Sequence, residues 1–129
     1  MLRIRGGLAG PTALVEDFVD GSIRTQDVQA LLKLRTPQAV HRLRSRGKLI
    51  GSAVGNQTWF PAWQFDGDRM RPHLPRILEL LARFTSDPLA ADRIMRLKHE
   101  ELGNTSIAAA LRKPKTTATA WQMLTSIGA

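Results

Sequence analysis

The chain contains no cysteine and no tyrosine, and its aromatics are limited to four Phe and three Trp among 129 residues. Lacking thiols, it can form neither disulfides nor thiolate zinc sites. His41, His73 and His99 stand far apart without HxxxH spacing, so neither a metal nor another cofactor is expected. No apolar run approaches the roughly 20 residues that cross a bilayer. Residues 1–10 carry two arginines and three glycines, Gly6, Gly7 and Gly10, with no apolar signal-peptide core. A flexible start and a cytoplasmic protein without membrane partners are expected. Acids are also few, 11 against 19 Lys and Arg, for a net charge of +8 and a pI near 11.3. Catalysis would want a nucleophile, a base or a metal arranged in a pocket, yet Glu100 and Glu101 fall in an expected turn and Asp66 and Asp68 in an expected linker. An enzyme is therefore not expected, and no catalytic residue is assigned. The length suffices to bury a core, in one domain or two small ones.

What is present is most informative between residues 25 and 47, TQDVQALLKLRTPQAVHRLRSRG. Thr25 is a hydroxyl residue suited to capping a helix of about two turns that places Val28, Leu31 and Leu32 on one face. Lys33, Leu34 and Arg35 interrupt it. Thr36 followed by Pro37 is a second start signal, a hydroxyl cap and then a proline where no amide hydrogen is needed. Gly47 supplies a residue able to close this second helix in the left-handed conformation. At about 100° per residue, Val40 and Leu43 face the first helix, while Gln38, His41, Arg42 and Ser45 face away. Two short helices with a polar, basic face on the second match a helix-turn-helix, whose second helix meets bases in the DNA major groove. Gln and Arg can each make two hydrogen bonds, to adenine and to guanine respectively. An ordinary helical hairpin with a solvated face has the same pattern.

Residues 48–54 and 57–60 then read as strands around Gly55-Asn56, a dipeptide permitting the positive φ of a two-residue hairpin turn. A hairpin directly after a recognition helix is a candidate wing, its tip reaching phosphates through neutral amides such as Asn56. Charge agrees. Residues 1–71 hold eleven Lys or Arg against six acids and residues 72–129 eight against five; six of the basic residues lie between positions 33 and 48, with no acid among them. Such a block is where a polyanion would bind, each neutralised phosphate releasing counterions. The residues predicted to face DNA are Thr36, Gln38, His41, Arg42, Arg44, Ser45, Arg46, Lys48 and Asn56.

Four of the seven aromatics, Trp59, Phe60, Trp63 and Phe65, crowd into WFPAWQFD at residues 59–66. Stacking on bases is one reading. Filling the core or the seam beside the hairpin is the other, and the more usual one for aromatics at a strand end beside a proline. Residues 67–72 form a polar break that predicts a boundary. Upstream, Leu14, Val15 and Phe18 predict a short helix over residues 11–19. Downstream, Leu74, Ile77, Leu78, Leu81 and Phe84 recur at helical spacing. Asp87-Pro88 starts a helix running through Leu97, Asn104 or Thr105 caps a short one, and residues 116–127 make a last helix. The expected fold is mainly α: a winged helix-turn-helix with a short β-hairpin over residues 11–66, followed by a small helical bundle over residues 72–129.

The combination of a basic helix-turn-helix, FPAWQFD, DPLAADRIM, ELGNTSIAAAL and a terminal alanine-rich helix resembles the bacterial antitoxin and regulator group of Xre/MbcA/ParS type. The resemblance runs from about residue 25 onward. Its DNA-binding part is similar to the short recognition helix and wing of MerR-like or excisionase-like proteins. The resemblance implies operator binding through Thr36, Gln38, His41 and Arg42. It also implies that the C-terminal helices bind a RES-domain toxin, with contacts from Leu124, Thr125, Ser126, Ile127, Gly128 and Ala129 at the chain end.

Two readings follow. One is the antitoxin of a type II toxin–antitoxin pair, a homodimer that represses its own promoter at the nucleoid and neutralises a RES-type toxin. The other is a stand-alone helix-turn-helix repressor or excisionase-like DNA-binding protein without a toxin.

Overall fold

The computed structural model describes residues 11–127. The expected flexible start at residues 1–10, and Gly128 and Ala129 of the expected partner-contacting end, lie outside the described residues. Among the described residues helices dominate, accompanied by three small antiparallel sheets, so the fold is mainly α. It divides into two compact units, Met1–Arg71 and Pro72–Ala129. Among the described residues, no helix is long and apolar enough to cross a membrane.

In the first unit, helix α1 (Pro11–Asp20) leads into strand β1 (Ser22–Arg24), which the sequence did not announce. Helices α2 (Thr25–Leu31) and α3 (Pro37–Ser45) follow, then strands β2 (Ser52–Val54) and β3 (Gln57–Pro61). β3 is the central strand, pairing with β1 on one edge (Ile23 opposite Phe60) and β2 on the other (Ala53 opposite Thr58). The expected hairpin is thus part of a three-stranded sheet. Thr25 is not the cap of α2 but its first residue. Arg24 stands at the cap, and its amide donates to the Asp27 carboxylate at 3.0 Å. The strand holds Arg24 in an extended conformation, which moves the helix start one residue earlier than expected.

Phe18, Val28, Val40, Leu49, Phe60, Trp63 and Phe65 are buried, and Trp59 is half-buried. The aromatic segment is therefore core rather than an exposed stacking platform. The polar break expected from residue 67 onward is itself structured: β4 (Phe65–Asp66) pairs with β5 (Arg69–Met70) across a tight turn, and the first unit ends at Arg71.

The second unit contains α4 (Leu74–Phe84), α5 (Pro88–Arg96), a four-residue α6 (Ile107–Ala110) and α7 (Thr117–Ile127). The Asp87-Pro88 start forms as expected, with the Asp87 carboxylate accepting from the Leu89 amide at 3.0 Å. The cap of α6 does not. Ser106 takes it, accepting from the Ala109 amide at 3.1 Å, because Thr105 is held in a two-stranded ladder of β6 (Lys98–His99) with β7 (Thr105–Ser106) and Asn104 occupies a left-handed turn. Leu74, Ile77, Leu78, Leu80 and Leu81 line the buried side of α4, and α7 packs against α4 and α6. On α5, Asp92 is 1% exposed and its carboxylate receives the Arg96 guanidinium at 3.0 Å, a charged pair one helical turn apart.

Candidate nucleic-acid interface

The geometry of α3 follows from its two ends. At the start, Thr36 is extended and its hydroxyl accepts from the Ala39 amide at 3.2 Å, with Pro37 at the first helical position. At the finish, the Gly47 amide donates to Arg44 O at 3.0 Å and the Lys48 amide to Leu43 O at 2.8 Å, with Gly47 at φ 73°. That pair of bonds is the Schellman termination, which requires a left-handed residue and favours glycine. α2 ends in the same way: Lys33 N donates to Ala30 O at 3.2 Å and Leu34 N to Gln29 O at 2.9 Å, but with Lys33 itself at φ 58°. Two equivalent stops thus set the length of each helix and the turn between them.

Between these ends Val40 is 0% exposed and Leu43 is half-buried, which anchors one side of α3 against α2. Gln38, His41, Arg42 and Ser45 are all exposed on the other. Arg44, Arg46 and Lys48 are exposed as well, Arg44 on a flank of the helix and the other two at its end. Among the described residues, none of Arg42, Arg44, Arg46 and Lys48 sits in an ion pair, whereas Arg24, Lys33 and Arg69 lie within 4.0 Å of Asp27 or Asp68. No acid occurs between Asp27 and Asp66 in the sequence, so α3 and the turns on either side of it carry no acid of their own.

Two of the expected site residues also serve the helix. The Thr36 hydroxyl is occupied as acceptor of the cap bond, and the Ser45 hydroxyl donates to Arg42 O at 3.0 Å. Each keeps only part of its hydrogen-bonding capacity for an outside group. Asn56 is exposed at the hairpin tip, where Val54 pairs with Gln57 across a two-residue turn and Gly55 has φ 65°. A positive φ at the first central residue with a negative one at the second is the type II′ pattern.

The structure adds residues that the sequence did not single out. Gln64 is 0% exposed, in a 3-10 turn (Ala62–Gln64) directly after β3. Its Oε1 accepts from Ile50 N at 2.8 Å, and its Nε2 donates to Ile50 O at 2.9 Å and Pro61 O at 3.1 Å. Gly51 is buried where a Cβ would lie 2.8 Å from the Phe60 ring. The signal for Gln64 was available in principle: one amide within an apolar, aromatic run has to find partners once that run is buried.

At the chain end the expected contact residues separate. Leu124 is 1% exposed and shares the inward face of α7 with Ala120, one turn earlier, so it belongs to the core and not to an outer surface. Thr125 and Ser126 are exposed, their hydroxyls donating to Trp121 O and Gln122 O at 2.8 Å each, and Ile127 is half-buried. Compared with protein-family models, with curated proteins and with solved structures, the chain matches none.

Proposed function

We propose that the first unit is a winged helix-turn-helix and that the protein is a sequence-specific DNA-binding transcriptional regulator acting as a homodimer. One observation carries this reading: Gln38, His41 and Arg42 are exposed together on the side of α3 opposite the fully buried Val40, on a helix without neighbouring acids. Major-groove recognition needs such a rod, anchored on one side and presenting donors and acceptors near its N-terminus on the other. The order helix, strand, helix, helix, hairpin supports it, since the hairpin follows the recognition helix directly.

In this reading α3 lies in the major groove. Arg42 spans O6 and N7 of a guanine, and Gln38 spans N6 and N7 of an adenine. Four residues at 1.5 Å rise separate the two side chains by about 6 Å along the helix, or roughly two base-pair steps. Arg44, Arg46 and Lys48 neutralise phosphates, and the Asn56 tip meets the backbone beside the groove. A two-fold dimer would repeat these contacts about 34 Å away, read a palindromic site and block a promoter sterically.

For the second unit, the resemblance to Xre/MbcA/ParS-type antitoxins supports a small helical bundle that binds a RES-domain toxin, with Thr125 and Ser126 as the exposed contacts near the end of α7. Selection from a randomised duplex library tests the DNA reading: a two-half-site motif containing a guanine and an adenine in each half is expected, and failure to enrich any motif would refute it. Co-expression with the product of the adjacent gene tests the toxin reading. Deleting residues 125–129 should leave DNA binding intact and relieve toxin inhibition. A protein that enriches a motif but inhibits no neighbouring toxin is the stand-alone repressor or excisionase-like protein.

A further inference from the structure

We infer that Gln64 is a positioning residue that locks the hairpin to the recognition helix, so that the tip and α3 engage one duplex together. The inference rests on the DNA reading above. The link between α3 and β2 is only residues 46–51, and it must hold two DNA-facing elements at a fixed angle. Near its β2 end, Ile50 has both its N–H and its C=O bonded to the Gln64 amide, at 2.8 and 2.9 Å. A single side chain thus substitutes for a neighbouring strand at the place where β2 has not yet begun. The third bond, to Pro61 O at 3.1 Å, ties the same amide to the end of β3, so the clamp closes across the base of the hairpin.

Two further contacts confine the same link. Leu49 is 1% exposed, and Gly51 lies so close under the Phe60 ring that a Cβ would reach within 2.8 Å of it. α3 is anchored separately, through Val40 against α2. β3 stays paired with β1, so loss of the clamp loosens the β2 side of the hairpin and with it the tip, without removing the support of the helix. A buried amide placed only for stability would have no reason to couple the tip to DNA. A positioning amide must.

The test is a double-mutant cycle on the enriched duplex, with full-length protein. In the wild-type background, Asn56→Glu brings a carboxylate to the phosphates and weakens binding about tenfold. In the Gln64→Leu background the same substitution should cost less than about twofold, because the tip no longer reaches the backbone, while Arg42→Ala should still cost the same factor as in wild type. Gln64→Glu keeps an acceptor for the Ile50 amide but sets a carboxylate against Ile50 O and Pro61 O. It repeats the cycle where Gln64→Leu does not stay folded, with thermal melts of both to confirm the folded state. Equal losses from Asn56→Glu in both backgrounds would overturn the proposal and leave DNA binding by α3 standing, and so would no loss in the wild type. Failure of the library to yield any duplex would overturn the DNA reading itself, a separate result.

Discussion

Replacing Arg44 with alanine should change how DNA affinity depends on salt more than how it depends on sequence. Arg44 is exposed on the flank of α3, and together with Arg46 and Lys48 it gives three exposed cations per protomer that, among the described residues, have no ion-pair partner. Arg42 is assigned to a base, so a dimer would neutralise about six phosphates. With a slope of about −0.9 per phosphate, log K should fall with log salt at about −5, or roughly three orders of magnitude between 50 and 200 mM. Arg44→Ala removes two of the six and should flatten the slope by about 2. The ratio of affinities for the enriched and a scrambled duplex should stay within about twofold. Arg42→Ala should do the reverse, lowering that ratio by about fivefold to a hundredfold for each half-site, since a bidentate base contact discriminates by about 1–3 kcal/mol. Fluorescence anisotropy with labelled duplexes at four or more salt concentrations measures both quantities. A slope unchanged by Arg44→Ala, or the same loss on both duplexes for both variants, would refute the division of labour on α3.

Four further outcomes follow from the packing. Gly51→Ala drives a methyl into the Phe60 ring and should lower stability by about 1–3 kcal/mol in chemical denaturation; an unchanged midpoint would mean that the ring moves aside freely. Lys33→Gly relieves a left-handed lysine at the end of α2 and should raise stability by up to about 1 kcal/mol, and a lower midpoint would contradict the strain argument. Arg96→Ala withdraws the guanidinium from the buried Asp92 carboxylate and should destabilise by about 3 kcal/mol, observable as a lowered Tm of the second unit. The Glu79 carboxyl is held below its ordinary value by hydrogen bonding and attraction from Arg76 and, less strongly, by Arg83. Its contribution is therefore present above the ordinary carboxylate range and is lost as pH falls through the lowered value, and Arg76→Ala should move its NMR titration upward.

Local signals made part of this fold legible. Thr36-Pro37 and Gly47 bracket α3 as expected because capping and left-handed termination are chemical properties of those residues, readable without knowing the rest of the chain. Asp87-Pro88 is legible for the same reason, as is the Gly55-Asn56 turn. What escaped depends on strand pairing and burial rather than on a residue's own chemistry. Ser22, Ile23 and Arg24 are too few to show alternation, and they are a strand only because β3 lies beside them. The two-residue ladder at Lys98–His99 displaced the cap from Thr105 to Ser106 through a contact that no local pattern encodes. Gln64 and Asp92 read as ordinary polar residues, and their roles emerge from the buried groups around them. At the interface, outward placement of Gln38, His41 and Arg42 was visible from helical spacing with Val40. The clamp that would hold the hairpin beside them was not.

Sequence-specific binding by this protein requires that the outward face of α3 meet base edges in the major groove. Dimethyl sulfate probing of the enriched duplex measures this directly, because it methylates guanine N7, the atom that Arg42 would cover. One guanine in each half-site should be protected by the wild-type protein, and protection should vanish with Arg42→Ala at concentrations where that variant still saturates the DNA. Binding that leaves every guanine N7 reactive, or protection that persists without Arg42, would contradict it.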